Sequence, residues 1–176
     1  HTDCWLPRHG LLPDDKELNK GRLTLDQAKK GFDMGRTILI RHAEQAHPIL
    51  NAIAEDFFKV FRAPVDIQIY CTPAEQEGFN WHYDMEEVFV IQSQGTKEFR
   101  LKQNTINPNP GFMPKDLEFE KETTKTQMRC LLEAGDWLFI PSGYWHKAKA
   151  ITDSFHLSVG VMKNERLVVN ARQGFD

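Results

Sequence analysis

The chain has 176 residues and a mass of 20.4 kDa, and its 22 Lys and Arg against 25 Asp and Glu leave a formal charge of −3. With 40% hydrophobic and 11% aromatic residues, it carries enough apolar material to bury roughly two-thirds of its unfolded surface in one domain, which excludes a disordered chain. The acidic balance excludes a dedicated nucleic-acid binder held by counterion release, and no apolar run is long enough to span a membrane.

The first residues, HTDCWLPRHG, lack the basic-then-apolar layout of a signal peptide, and the absence of a starting Met is what a trimmed or processed fragment would show. Cys4, Cys71 and Cys130 are odd in number and widely spaced, and they form no Cys-x-x-Cys pair. They suit neither a disulfide framework nor a structural zinc site, so a reducing, cytoplasmic setting is expected.

Residues 1–36 read as a charged, irregular N-terminal segment with one short helix at about 24–30, closed by Gly31. TILI at 37–40 reads as a strand. From Pro48 to Phe61 an apolar stripe of Ile49, Leu50, Ile53, Ala54, Phe57 and Phe61 recurs at three- and four-residue spacing, which predicts a helix with Pro48 in its first turn. From Val65 the period becomes two, with Val65, Ile67, Ile69 and Cys71 on one face and Asp66, Gln68 and Tyr70 on the other. EVFVIQ at 87–92 and TKEFRL at 96–101 read as a hairpin turning at Gly95. Residues 103–126 form a long loop rich in Asn, Pro and charge, of the kind that is functional or mobile. QMRCLL, DWLFI and SFHLSVGV then read as three more strands, with turns at Glu133–Gly135 and Pro141–Gly143. One helix leading into many short antiparallel strands predicts a mainly β barrel or sandwich with a helical N-terminal layer.

Among the seven histidines, His-x-Asp is the informative pattern, because residues two apart on a strand share a face. It occurs at His1-Thr2-Asp3, a terminal chance match, and at His82-Tyr83-Asp84; His42-Ala43-Glu44 is a related decoy. His146, after the Pro-Ser-Gly turn, supplies a third ligand from a distant part of the chain. Two imidazoles and one carboxylate on one face make the facial triad of non-haem Fe(II) oxygenases, whose open positions take cosubstrate and O₂. The bland alternative is a pair of hydrogen-bonded strand histidines.

A 2-oxo acid chelated at such a triad needs a cation for its far carboxylate. Lys97 shares the apolar face of its strand with Phe99 and Leu101, a costly register unless the ammonium meets an anion. The bland reading is a strand-end Lys reaching solvent. Tyr70 and Gln68 are placed to donate to the same carboxylate. Ser154, His156 and Ser158 form a polar stripe, of which Ser158 is assigned to the pocket.

YCTPAEQEGFNWHYDMEEVFVIQSQGTKEFRLK followed by AGDWLFIPSGYWHKA resembles the Jumonji-C oxygenases, in their ribosomal-oxygenase or cupin-4 branch. The motif runs Tyr70-x-Thr72-Pro73, Gly78-Phe79, His82-Tyr83-Asp84, Val88-Phe89 and Gly95-x-Lys97. It closes with Gly135-Asp136, Pro141, Gly143, Trp145-His146 and His156-Leu157-Ser158, and the similarity spans roughly residues 24–165. The resemblance implies a double-stranded β-helix (jelly roll, cupin-like) catalytic domain over residues 37–176. It implies that His82, Asp84 and His146 hold Fe(II), and that Lys97 with Tyr70 binds 2-oxoglutarate, with Gln68 and Ser158 as further cosubstrate contacts. With O₂, that chemistry hydroxylates a protein or peptide side chain, ribosomal proteins included, and releases succinate and CO₂.

The chain departs from the pattern at Trp81, where a smaller residue or Pro is expected, and at Gln68, where relatives carry a smaller amide. It ends about 30 residues after His146, short of the C-terminal dimerisation and winged-helix regions of larger members, so the resemblance leaves oligomeric state and substrate identity open. Two alternatives stand beside the protein hydroxylase: the same chemistry on a small molecule or peptide natural product, and a non-catalytic metal-binding cupin-like module. Neither nucleic acid nor membrane is an expected partner.

Overall fold

A computed structural model describes residues 3–8, 11, 14, 21–102 and 126–162. The sequence-predicted loop falls almost entirely at 103–125, and with His1 and Thr2 it lies outside the described residues. The described elements are β1 (Asp3–Trp5), α1 (Leu25–Asp33), β2 (Ile38–Arg41), a 3-10 turn (Ala43–Gln45), α2 (Pro48–Phe61), β3 (Val65–Thr72), β4 (Glu87–Gln94), β5 (Lys97–Lys102), β6 (Thr126–Leu132), β7 (Trp137–Ile140), β8 (Trp145–Ala150) and β9 (Ser154–Val161).

The strands form two antiparallel sheets, one ordered β1-β2-β3-β9-β4-β7 and one ordered β6-β5-β8. This is the mainly β, double-stranded β-helix architecture that the sequence predicts, with helices ahead of the barrel. Between the sheets, Val88, Val90, Phe99, Leu101, Leu132, Leu138 and Ile140 make one core cluster. A second lies under α2, where Ala43, Ala54, Ile67 and Val159 are buried with Leu50, Ile53 and Phe57 packed against them. Burying these side chains on both faces of the large sheet supplies most of the driving force for the layered fold.

Local chemistry explains the helices. α1 opens on a capping box: Gln27 N–H donates to Thr24 Oγ1 (3.3 Å), and Thr24 N–H donates to Gln27 Oε1 (2.9 Å). The predicted closure at Gly31 is corrected, because the helix runs on to Asp33. Gly31 lies inside it for a packing reason: a Cβ there would fall 2.4 Å from Leu6 Cδ1, and Leu6 is fully buried. α2 has the predicted limits, with Pro48 at its first position. Its buried stripe is narrower than predicted, since Ile49 is exposed and Phe61 is partly so.

Three strand expectations change. The predicted hairpin of β4 with β5 does not form: β4 pairs with β7 and β9, whereas β5 pairs with β6 and β8. The Gly95 turn therefore carries the chain from one sheet to the other. At φ +68°, a Cβ on Gly95 would lie 1.9 Å from the Asp153 carbonyl oxygen, so only glycine fits. His146, after the Pro-Ser-Gly turn as predicted, lies in β8, a strand that the sequence pattern does not announce. Near the N-terminus, Asp3–Trp5 joins the large sheet beside β2 rather than lying irregular.

Candidate functional site

The two sheets enclose a cleft of about 490 Å³ including its mouth, lined at one end by His82, Asp84 and His146 and at the other by Lys97 and His156. Period-two geometry brings the first three together. His82 and Asp84 lie in the connection between β3 and β4, where the residue between them, Tyr83, turns away into the core and is buried. That segment meets β8 through an isolated antiparallel bridge, in which His82 N–H donates to the His146 carbonyl (3.1 Å) and His146 N–H to the His82 carbonyl (2.7 Å). Directly opposed residues of such a bridge present their side chains to the same side. The imidazole centroids accordingly lie 4.2 Å apart, and one ligand atom from each of His82, Asp84 and His146 falls within 4.8 Å of the others.

The imidazoles are oriented as well as gathered. His82 Nδ1 lies 2.8 Å from the Asn80 carbonyl and His146 Nδ1 lies 3.0 Å from the Tyr144 carbonyl. A carbonyl only accepts, so each Nδ1 carries the proton and each Nε2 keeps its lone pair for a metal. His146 Nε2 stands 3.5 Å from Asp84 Oδ2. Burial, then the neighbouring His82, pushes the His146 pKa down to about 4 against the opposing pull of Asp84, so its ring is neutral near pH 7. The donor set fits a divalent transition metal: two imidazole Nε2 atoms and one carboxylate on one face, each imidazole held from behind.

At the other end, Lys97 is buried, with 3% of its surface exposed. Its Nζ donates to Thr72 Oγ1 (2.9 Å), lies 3.5 Å from His156 Nδ1 and stands 5.9 Å from the centre of the Tyr70 ring. None of these neighbours is an anion. Burial pushes the Lys97 pKa down to about 7, partly opposed by the Cys71 thiol. His156 is held well below the ordinary imidazole range by burial and then by Lys97. The result is a cation position with no carboxylate of its own, facing a cavity.

The other sequence-predicted residues divide. Tyr70 lines the cleft and stacks on His156 with ring centroids 4.8 Å apart and planes 4° apart. Burial, and next the charge of Asp84, raises its pKa, so it stays a neutral phenol. Ser158 also lines the cleft. Gln68 does not; it lines the adjoining open depression with Arg41 and Trp5. There its Oε1 accepts from the Tyr70 hydroxyl (2.9 Å) and its Nε2 donates to Asp66 Oδ2 (2.9 Å), so in this structure it reaches the cleft through Tyr70.

His156 is a cleft residue that the predicted site omits, and the buried Thr72, behind the cleft, is the hydroxyl on which Lys97 rests. The signal for His156 was present, since Ser154, His156 and Ser158 share one face of β9. Period two fixes which residues share a face but not whether that face meets water or a cavity. Trp81 lies against the ammonium groups of Lys102 (4.6 Å) and Lys147 (5.6 Å) and is not among the cleft residues. The cysteines Cys4, Cys71 and Cys130 are all free thiols.

Comparison with known proteins agrees with this geometry. A family model described as JmjC domain matches residues 42–167. Ribosomal oxygenase 2 from Mus musculus is 34% identical over 154 residues, covering 85% of this chain and 32% of that protein. The bifunctional lysine-specific demethylase and histidyl-hydroxylase NO66 from Dictyostelium discoideum is 36% identical over 107 residues, covering 59% of this chain and 21% of that protein. The chain thus spans about a third or less of the length of these curated relatives. Among solved structures, the Escherichia coli ribosomal oxygenase YcfD superposes with a TM-score of 0.66 at 21% identity, over 96% of this chain and 42% of that one. Its complex with cobalt and 2-oxoglutarate superposes with a TM-score of 0.62 at 19% identity, over 99% of this chain and 44% of that one, a likeness of fold. The match over most of the chain and the shared fold lead to one conclusion: this chain belongs to the JmjC domain family.

Proposed function

We propose that this chain is an Fe(II)- and 2-oxoglutarate-dependent oxygenase that hydroxylates a side chain of a protein or peptide. The observation that carries the reading is the pairing of two ends of one cleft. Two Nε2 atoms and a carboxylate converge at one end, and at the other a buried ammonium faces no anion. When bound, Fe(II) with 2-oxoglutarate and O₂ supplies the oxidising power to insert one oxygen into a C–H bond, releasing succinate and CO₂.

The residues divide the work. His82, Asp84 and His146 would hold the metal from one side, leaving the cleft side for cosubstrate and O₂. Lys97 would take the far carboxylate of 2-oxoglutarate. An anion arriving beside this ammonium favours its charged form, offsetting the burial that otherwise lowers its pKa to about 7. Tyr70 and Ser158 line the same space and offer hydroxyl groups to that carboxylate, the Tyr70 hydroxyl turning its proton from Gln68 Oε1 to do so. Val88, Val90, Phe99 and Ile140 keep the intervening wall apolar, which excludes water and strengthens the charged contacts.

The relatives' names include ribosomal oxygenases and a histidyl-hydroxylase. They support a ribosomal protein as the substrate class, ahead of a small molecule or peptide natural product. The proposal includes a catalytic domain over residues 37–176 and a cytoplasmic setting; among the described residues, no helix is long and apolar enough to cross a membrane.

Incubation with Fe(II), ascorbate and 2-oxoglutarate should yield succinate slowly alone and faster with ribosomal-protein peptides, which should gain about 16 Da, one inserted oxygen. Succinate without peptide modification, but with an oxidised small molecule, would move the substrate to the second class. No turnover and no 2-oxoglutarate binding would reduce the domain to a metal-binding module.

A further inference from the structure

The cleft does not use the only convergent set of ligand-type side chains. Where β2 ends and β3 begins in the large sheet, one ligand atom from each of His42, Glu44 and Asp66 lies within 4.8 Å of the others. We propose that these three residues form a second divalent-metal site, of one-imidazole, two-carboxylate type, suited to an ion such as Mn²⁺.

The three side chains come from different elements. His42 follows the last residue of β2, Glu44 lies in the 3-10 turn, and Asp66 is the second residue of β3. His42 adopts the left-handed region, φ 53° and ψ 42°, which a side chain with a Cβ enters only at a steric cost. Such strain persists where the surroundings impose it, and here it accompanies the convergence of the imidazole on Asp66. The His42 Nδ1 and Asp66 Oδ1 atoms are 2.7 Å apart. Even so, Asp66 Oδ1 is buried and receives no hydrogen bond.

Close approach without a hydrogen bond is the relation expected of two ligands of one ion. Ligands at about 2.1 Å from a metal and at right angles to each other lie about 3.0 Å apart. The remaining carboxylate oxygens are held from behind. Glu44 Oε2 accepts from Ile67 N–H (3.0 Å), and Asp66 Oδ2 accepts from Gln68 Nε2 (2.9 Å). Glu44 Oε1 and Asp66 Oδ1 are thereby left for a cation. Among the described residues, no lysine or arginine forms an ion pair with either carboxylate, so a divalent ion would balance a cluster otherwise one or two charges negative. All three residues are half-buried, which keeps the site within reach of solvent while reducing competition from water.

The test counts Mn²⁺ bound to the full chain, after chelator treatment, by the loss of the free-ion EPR signal. The wild type should bind two equivalents and Glu44→Gln one; Glu44→Gln keeps the shape and the Ile67 contact. His82→Ala/Asp84→Ala should retain one equivalent, which adding Glu44→Gln removes. His42→Gln is the second outer-site variant, and far-UV circular dichroism establishes that each is folded. One equivalent in the wild type, lost in the His82→Ala/Asp84→Ala protein, would overturn the second site and leave an ordinary His42–Asp66 ion pair. Two equivalents that survive both outer-site changes would overturn it as well. Failure of the cleft site reads differently, as a single equivalent in the wild type that persists in the His82→Ala/Asp84→Ala protein and is lost in Glu44→Gln.

Discussion

The two ends of the cleft handle buried basic groups in opposite ways. At the metal end, burial and mutual repulsion hold His146 neutral, and backbone carbonyls fix the protons of both rings on Nδ1. That end is preorganised: its donors converge, and both imidazoles are oriented, before anything binds. At the far end, Lys97 rests on Thr72 and His156 with a pKa near 7, so its charge awaits an incoming anion. The metal end therefore contributes geometry, and the lysine end contributes a stored electrostatic preference. Substitutions at the two ends should fail in different ways.

The largest effect belongs to the metal end. His82→Ala or Asp84→Ala should lower succinate formation by about a hundredfold or more, since loss of a ligand exceeds the effect of losing a ligand's support. Measured turnover near the wild-type rate in either variant would break the comparison. Next comes Lys97→Ala, which leaves the far carboxylate without its cation. 2-Oxoglutarate binding should weaken by about 3 kcal/mol or more, or at least a hundredfold, while Mn²⁺ binding at the metal end is retained. Calorimetric titration separates the two quantities.

Lys97 also allows a stability prediction of the opposite sign. The folded pKa, about 7, lies below that of an unfolded lysine near 10.5, so across that window the unfolded chain holds a proton that the folded chain lacks. Stability from this group should therefore rise with pH between about 7 and about 10.5, with the full penalty below the folded pKa. Lys97→Met removes the penalty and should stabilise the protein by a few kcal/mol at about pH 6 in urea unfolding. Equal stability of the two proteins across this range would show that Lys97 is not desolvated. The same titration predicts that KM for 2-oxoglutarate rises as pH passes upward through about 7, and that Lys97→Arg flattens the profile.

The smallest effect belongs to Tyr70, whose hydroxyl donates to Gln68 in the absence of ligand. Tyr70→Phe keeps the ring stacked on His156 and removes one hydrogen bond. It should weaken 2-oxoglutarate binding by about 1 kcal/mol, roughly fivefold, with little change in kcat. Gln68→Ala removes only the acceptor that holds this proton in the absence of ligand, and should not weaken 2-oxoglutarate binding.

Much of this was legible in residue spacing, and the exceptions have physical causes. α2 was bounded correctly because its apolar period and Pro48 act locally. The His82-x-Asp84 pattern and the register of Lys97 with Phe99 and Leu101 likewise depend only on neighbours two residues apart. Strand pairing does not: β4 and β5 look like a hairpin because they are consecutive, but the contacts that separate them come from β7, β8 and β9. β8 was hidden because WHKAKA carries two lysines, which in the structure pair with Glu75 and Glu77 far along the chain. His156 was passed over because a polar stripe on a strand has the same pattern whether it faces water or a cavity. The decoy His42-Ala43-Glu44 gained interest only when β3 placed Asp66 beside it.

The central claim is that one cleft holds a metal at His82, Asp84 and His146 and a 2-oxo acid against Lys97. Its most direct test is Fe(II)-dependent succinate release from 2-oxoglutarate by the wild type, His82→Ala and Lys97→Ala proteins over a range of cosubstrate concentrations. The account predicts turnover in the wild type, a loss of about a hundredfold or more in His82→Ala that added 2-oxoglutarate does not restore, and partial recovery in Lys97→Ala as 2-oxoglutarate is raised. Turnover near the wild-type rate in His82→Ala, or an unchanged KM in Lys97→Ala, would contradict it.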